Sequence, residues 1–165
     1  MTTQEALNVI KPQEATKASI KKAYRQLALK FHPDINPTDG EYMKIVNLAF
    51  EVLMNNIQEI NLDEINPEEP SVLDSIIKVF ENIKHFPGIK AEVCGNWLWV
   101  SGNTYKYRKE LKEQGLLFAH RKKEWYWRPP QYRSKNRKEW SKDKIRTHYH
   151  SVNMQTEEFA EVAFG

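Results

Sequence analysis

His32-Pro33-Asp34 sets an imidazole and a carboxylate on either side of a proline, in a stretch of chain that cannot be helical. Just upstream, Lys21, Lys22 and Arg25 form a positive stripe with Lys17. Read singly, Pro33 is a helix stop, His32 a surface residue and the lysines a solvated face. In this order they describe a turn and a cationic ridge that a partner protein can grip. A second set of groups with chemistry lies in the other half of the chain. There Lys106, Arg108, Lys109, Lys112, Arg121, Lys122 and Lys123 precede the aromatic residues Trp125 and Trp127. Rings among cations suit single-stranded nucleic acid, whose bases stack and whose phosphates need neutralising.

The trio needs two helices to hold it. Across Ala15 to Phe31, apolar Ile20, Tyr24, Leu27, Ala28 and Phe31 recur at spacings of three and four, the period of a one-sided helix. Pro33 ends it, so His32 and Asp34 fall in a turn just beyond, facing solvent; Pro37 and Asp39-Gly40 extend that loop. Met43, Val46, Phe50, Leu53 and Ile57 then make the stripe of a second helix. Two antiparallel helices bury these stripes against each other and leave the loop exposed at one end.

This arrangement resembles the J-domain of DnaJ-type co-chaperones, over residues 4–55. The residues that carry the resemblance are Lys21 to Asp34 (KKAYRQLALKFHPD), Leu7-Asn8-Val9 and Val46 to Leu53. The resemblance implies that His32, Pro33 and Asp34 form the trigger and that Lys21, Lys22 and Arg25 form an electrostatic face. Together these dock onto a DnaK-type chaperone and accelerate its ATP hydrolysis. The chain departs from the family where Thr3 and Gln4 replace a tyrosine pair, where Asn8 replaces a glycine, in a short loop, and in lacking a fourth basic helix. The first departure predicts a weakened first helix. The Gly/Phe-rich segment and the four-CxxC zinc region of full-length DnaJ are absent too. By resemblance this places the chain among specialised J-proteins, which use a private domain to choose where the chaperone acts.

Composition excludes several classes. A chain of 165 residues has room for one ordinary domain or two small ones. Cys94 is the sole cysteine, which rules out an intramolecular disulfide or a cysteine-based zinc site and points to a reducing compartment. No apolar run approaches the roughly 18–20 residues that span a bilayer, and the N-terminal MTTQEALNV lacks the marks of a secretion signal. A cytoplasmic protein without a membrane partner is expected. No Gly-rich phosphate loop, nucleophile elbow or HExxH occurs, and the histidines lack companions at metal spacing. No enzymatic activity, cofactor or metal is expected.

Charge divides the chain. Residues 103–149 hold 15 lysines and arginines against 5 acids, an excess of +10, which leaves the remainder at −7 for a total of +3. One end therefore handles an anionic partner. The acidic run Glu59 to Glu69 reads most simply as a linker; the other reading has it covering a basic surface of the same molecule.

The second half has its own logic. Ser71 caps a helix carrying Val72, Ile76, Val79, Phe80 and Ile83, closed by Pro87-Gly88. Ile89 to Cys94 and Trp97 to Val100 form a hairpin around Gly95-Asn96. Tyr105 to Gln114 is a short helix stopped by Gly115, and Leu116 to His120 with Glu124 to Arg128 form a second hairpin. Of the five tryptophans, those at 97, 99, 125 and 127 fall in these strands, either as core or with one or two exposed among the cations. Gly102-x-Thr104, Leu111-Lys112, Gly115 and Lys123-x-Trp125-Tyr126 are similar to the HARP-type repeat of annealing helicases, over residues 102–126.

The expected architecture is α+β in two small domains. A J-domain occupies 1–58, an acidic linker 59–70, and a small antiparallel sheet with covering helices, the targeting module, 71–128. A basic tail with a C-terminal docking segment (Ile145, Arg146, Tyr149, Val152, Met154, Phe159, Val162, Phe164) fills 129–165. The function this predicts is a co-chaperone that activates a DnaK-type chaperone and recruits it to a client or nucleoprotein complex. The rival is a nucleic-acid-binding protein in which the J-like helices are scaffold only.

Overall fold

A computed structural model describes residues 1–37, 40–65, 70–130 and 140–156. The chain forms two compact units, Met1–Ser75 and Ile76–Gly165.

The first unit is helical, with α1 (Thr3–Ile10), α2 (Lys17–Phe31) and α3 (Gly40–Asn55), followed by two single 3-10 turns at Ile57–Glu59 and Leu62–Glu64. Both α1 and α2 pack on α3. Ala6, Ile20, Val46, Ala49 and Leu53 are fully enclosed, and small residues among them let the helices approach closely. Aromatic contacts fix the direction of α3 against α2. Tyr24 stacks on Phe50 with centroids 4.2 Å apart, and Phe31 meets Tyr42 edge-on at 5.7 Å. A later residue of α2 thus meets an earlier one of α3, so the two run antiparallel. The Tyr24 hydroxyl also donates to Asn47 Oδ1 at 2.9 Å.

The first helix is better held than its sequence implies. Thr2 Oγ1 accepts the Glu5 amide at 3.2 Å while Glu5 Oε2 accepts the Thr2 amide at 2.7 Å, a reciprocal capping box. Two otherwise unsatisfied amide donors are met in this way. The expected Asp39-Gly40 turn lies partly outside the described residues; Gly40 itself opens α3. Ile57, expected on the second helix, belongs to the 3-10 turn after it. Within the expected linker, residues 66–69 lie outside the described residues.

Helix α4 (Val72–Ile83) spans the boundary between the units, and Ser71 Oγ accepts the Asp74 amide at 3.0 Å as its cap. The second unit is a five-stranded antiparallel sheet in the order β3-β4-β2-β1-β5. Its strands are β1 (Ile89–Cys94), β2 (Trp97–Gly102), β3 (Leu117–Ala119), β4 (Glu124–Trp127) and β5 (Ser151–Met154), with helices α5 (Arg108–Glu113) and α6 (Lys142–Tyr149). Gly115 follows α5 at φ 83, the left-handed stop expected of it.

The fifth strand corrects the sequence reading, which ended the folded module at residue 128. Ser151–Met154 pairs with β1, Met154 opposite Ala91 and Val152 opposite Val93, so the sheet draws its last strand from the segment expected to be a tail. The docking expected of Val152 and Met154 is therefore strand pairing within their own unit. Phe159, Val162 and Phe164 lie outside the described residues.

Candidate functional site

The turn after α2 is organised by hydrogen bonds to His32. Its backbone is extended (φ −63, ψ 131), as a residue before proline must be. Its carbonyl accepts the amides of Ile35 at 2.9 Å and Asn36 at 2.8 Å, and Asn36 Nδ2 reaches back to the Lys30 carbonyl at 2.6 Å. Two of the carbonyls that a helix end leaves open are thereby met. The Asp34 amide donates to His32 Nδ1 at 3.2 Å. That bond makes Nδ1 the acceptor, so the proton of the neutral ring sits on Nε2.

Both ionisable groups face water. The His32 side chain is 47% exposed and that of Asp34 is 88% exposed, with Nδ1 and Oδ2 3.6 Å apart. A pair this open contributes little to stability. What the turn supplies is presentation: a fixed imidazole and a carboxylate whose acceptor lone pairs suit an arginine of a partner. Lys21, Lys22 and Arg25 are exposed on α2, as the sequence predicts. Lys30, the next cation along, is drawn elsewhere, 3.4 Å from Asp74 and 4.9 Å over the Phe31 ring.

In the second unit the nominated residues are spread over several elements. Lys106 sits in the 3-10 turn Tyr105–Tyr107, and Arg108, Lys109 and Lys112 lie on α5, all exposed. Arg121, Lys122 and Lys123 form the β3–β4 turn, where Lys123 adopts φ 54 and its amide donates to the Ala119 carbonyl at 2.8 Å. Register separates the tryptophans. Trp125 pairs with Val100 and Trp127 with Leu98, both fully buried, so these two rings lie on the core face and are half-buried. Trp99 pairs with Tyr126 and Glu92, which places Trp97, Trp99 and Tyr126 together on the opposite face. Their rings cluster, with Trp97 and Tyr126 at 5.3 Å and Trp97 and Trp99 at 5.9 Å.

That opposite face holds Lys142, Glu92 and Glu124, which the sequence does not single out, and Arg146, expected in the docking segment, which instead pairs within its own unit. Lys142 Nζ lies 2.8 Å from both Glu92 Oε1 and Glu124 Oε2, and 3.9 Å over the Trp99 ring. Arg146 Nε is 3.0 Å from Glu92 Oε2. Two cations of the basic half are thus spent on internal carboxylates. Arg128 stands 5.9 Å over Trp97, and Arg108 lies 4.4 Å over Tyr105. The alternation of Trp97 and Trp99 was visible in sequence, but the cross-strand register that adds Tyr126 was not.

Burial pushes the Glu92 carboxyl up, but hydrogen bonds from Arg146 and Lys142 and their charges outweigh it and hold it below its ordinary value of 4.5. A carboxyl lowered on folding stabilises above its unfolded pKa, and that stability disappears as pH falls through the lowered value. The second unit should therefore lose stability progressively below pH about 4.5, and Glu92→Gln should remove about 2 kcal/mol at pH 7 while flattening this acid limb. Thermal melts from pH 3 to 7 check both; an unchanged acid limb in the variant would assign it to other carboxylates. Burial, aided by the charge of Glu92, pushes the Cys94 thiol up to about 11, so it is not a reactive thiolate at neutral pH.

Residues 5–63 match the family model of the DnaJ domain. Human DnaJ homolog subfamily A member 4 is 57% identical over 44 residues, which covers 27% of this chain and 11% of that protein. Chaperone protein DnaJ of Erysipelothrix rhusiopathiae is 52% identical over 62 residues, covering 36% and 16%. Chaperone protein DnaJ of Staphylococcus epidermidis is 43% identical over 68 residues, covering 40% and 18%. The chain thus spans less than a fifth of the length of these curated relatives. No solved structure matches it significantly. Among the described residues, no helix is long and apolar enough to cross a membrane.

Proposed function

We propose that this chain, whose residues 5–63 are a DnaJ domain, is a co-chaperone that stimulates the ATPase of a DnaK-type chaperone and that its second unit brings the chaperone to a specific target. One observation carries the reading. His32-Pro33-Asp34 is fixed by three hydrogen bonds, with a fourth from Asn36 to the Lys30 carbonyl bracing the turn, yet it is exposed, directly beyond the exposed cations Lys21, Lys22 and Arg25. Rigid presentation without burial favours binding, because little ordering entropy remains to be lost on docking. The chain does no chemistry of its own in this reading, and it acts in the cytoplasm. The test is the steady-state ATPase rate of a DnaK-type chaperone titrated with the intact chain. A saturable rise is expected, and a flat rate overturns the proposal.

The charge of the second unit favours a second reading of that unit, single-stranded nucleic acid as the target. Lys106, Arg108, Lys109, Lys112 and Lys123 are exposed cations, and Tyr105 at 75% and Phe118 at 37% exposure are apolar rings beside them in the chain. Binding to a labelled oligonucleotide that weakens steeply with salt supports it, and no binding at low salt removes it. The intact chain is required here, since a fragment ending at residue 149 would lack β5.

A further inference from the structure

The turn carries an apolar element that neither its charge nor its hydrogen bonding explains. Leu29 is 68% exposed and Ile35 59% exposed, one just before the trigger and one just after it. Together with Arg25, Ala28 and His32 they line an open depression of about 340 Å³. Large aliphatic side chains gain free energy when they leave water, so two of them flanking one depression mark a surface made to be covered.

We infer that this depression receives an apolar side chain of the DnaK-type chaperone itself, and that Ile35 and Leu29 make the docking selective for chaperones that carry such a side chain beside acidic groups. This rests on the co-chaperone reading. Continuity argues for that occupant: Arg25 and His32 line the depression and belong to the proposed docking surface, so a partner that grips them also covers it. Charge argues against a second copy of this chain, which would bring Lys21, Lys22 and Arg25 against their own counterparts. Ile35 is the distinctive position. It follows Asp34 directly, and the hydrogen bond that its amide donates to the His32 carbonyl at 2.9 Å holds it in place.

The experiment titrates the intact chain against the ATPase of a bacterial DnaK, with Leu29→Gln, Ile35→Gln, the double variant, Ile35→Met and His32→Gln. Neither glutamine removes charge or a buried contact, so melting should be unchanged. The double variant should need about tenfold more protein for half-maximal stimulation, with the maximal rate and the salt dependence unaltered. Ile35→Met, which keeps the apolar character, should stay within about twofold of the parent. If the double variant is also within twofold while His32→Gln is inert, the inference fails and the co-chaperone reading stands. If the parent chain gives no stimulation, or His32→Gln stimulates as well as the parent, the co-chaperone reading fails and takes this inference with it.

Discussion

Replacing His32 with glutamine should return the chaperone ATPase to its unstimulated rate at every concentration of the chain, while leaving the melting free energy within about 0.5 kcal/mol of the parent. The fold tolerates the change because the side chain is 47% exposed and contributes no core packing. Stimulation should not survive it, because one flat ring offers two things at once. Nδ1 accepts the Asp34 amide at 3.2 Å and so sets the direction of the following carboxylate, while the donor Nε2 projects from the other edge of the same plane. A glutamine amide has a donor and an acceptor too, but on one flexible terminus. It cannot occupy both positions at once. The cations on α2 should behave differently. Lys21→Gln or Arg25→Gln should weaken docking by a few-fold and reduce its salt sensitivity, since exposed charges steer a partner more than they hold it. A His32→Gln chain that melts like the parent and still stimulates would show that the turn is not the trigger.

Local signals made the first unit readable. A stripe at Ile20, Tyr24 and Phe31 and a proline at 33 define a helix and its end without reference to the rest of the chain, and α2 runs from Lys17 to Phe31. Cap chemistry was equally local at Ser71 and Gly115. The capping box of α1 is equally local, with Glu5 three residues after Thr2. In the second unit the limits are those of long-range pairing. β5 has only Val152 and Met154 as apolar alternation, too short a pattern to mark a strand, and its partner β1 lies far away in sequence. Lys142 looks like part of a solvated tail, and Arg146 like part of a docking segment, until the fold brings Glu92 and Glu124 beneath them. The same holds for the tryptophans. Two hairpins each present a pair on one face, but only register decides that Trp97 and Trp99 look away from Trp125 and Trp127.

The steepest loss of stability is expected at Gly102. This residue ends β2 opposite Ile89 and adopts φ 87, a conformation that side-chain-bearing residues rarely take. A Cβ placed there would lie 2.3 Å from the Gly88 carbonyl oxygen and 3.3 Å from Ile89 Cα. Both neighbours are backbone, so no rotamer change clears the space. That carbonyl also accepts the Asn103 amide at 2.8 Å, so moving it breaks the bond that closes the start of β1 against the end of β2. Strain, clash and the lost bond together should take about 3 kcal/mol or more from Gly102→Ala. A unit of this size is stabilised by about 5–13 kcal/mol, so its melting temperature should fall by about 12 °C or more. Tryptophan emission isolates the effect, because all five tryptophans lie between residues 97 and 140 and none lies in Met1–Ser75. Gly40→Ala is the control: nothing lies within 4 Å of its Cβ position at the start of α3, and a helical alanine there should be neutral or slightly stabilising. A Gly102→Ala protein whose tryptophan transition stays within 2 °C of the parent would mean that β1 and β2 part easily at this end, and the tight crossing would then have no structural role.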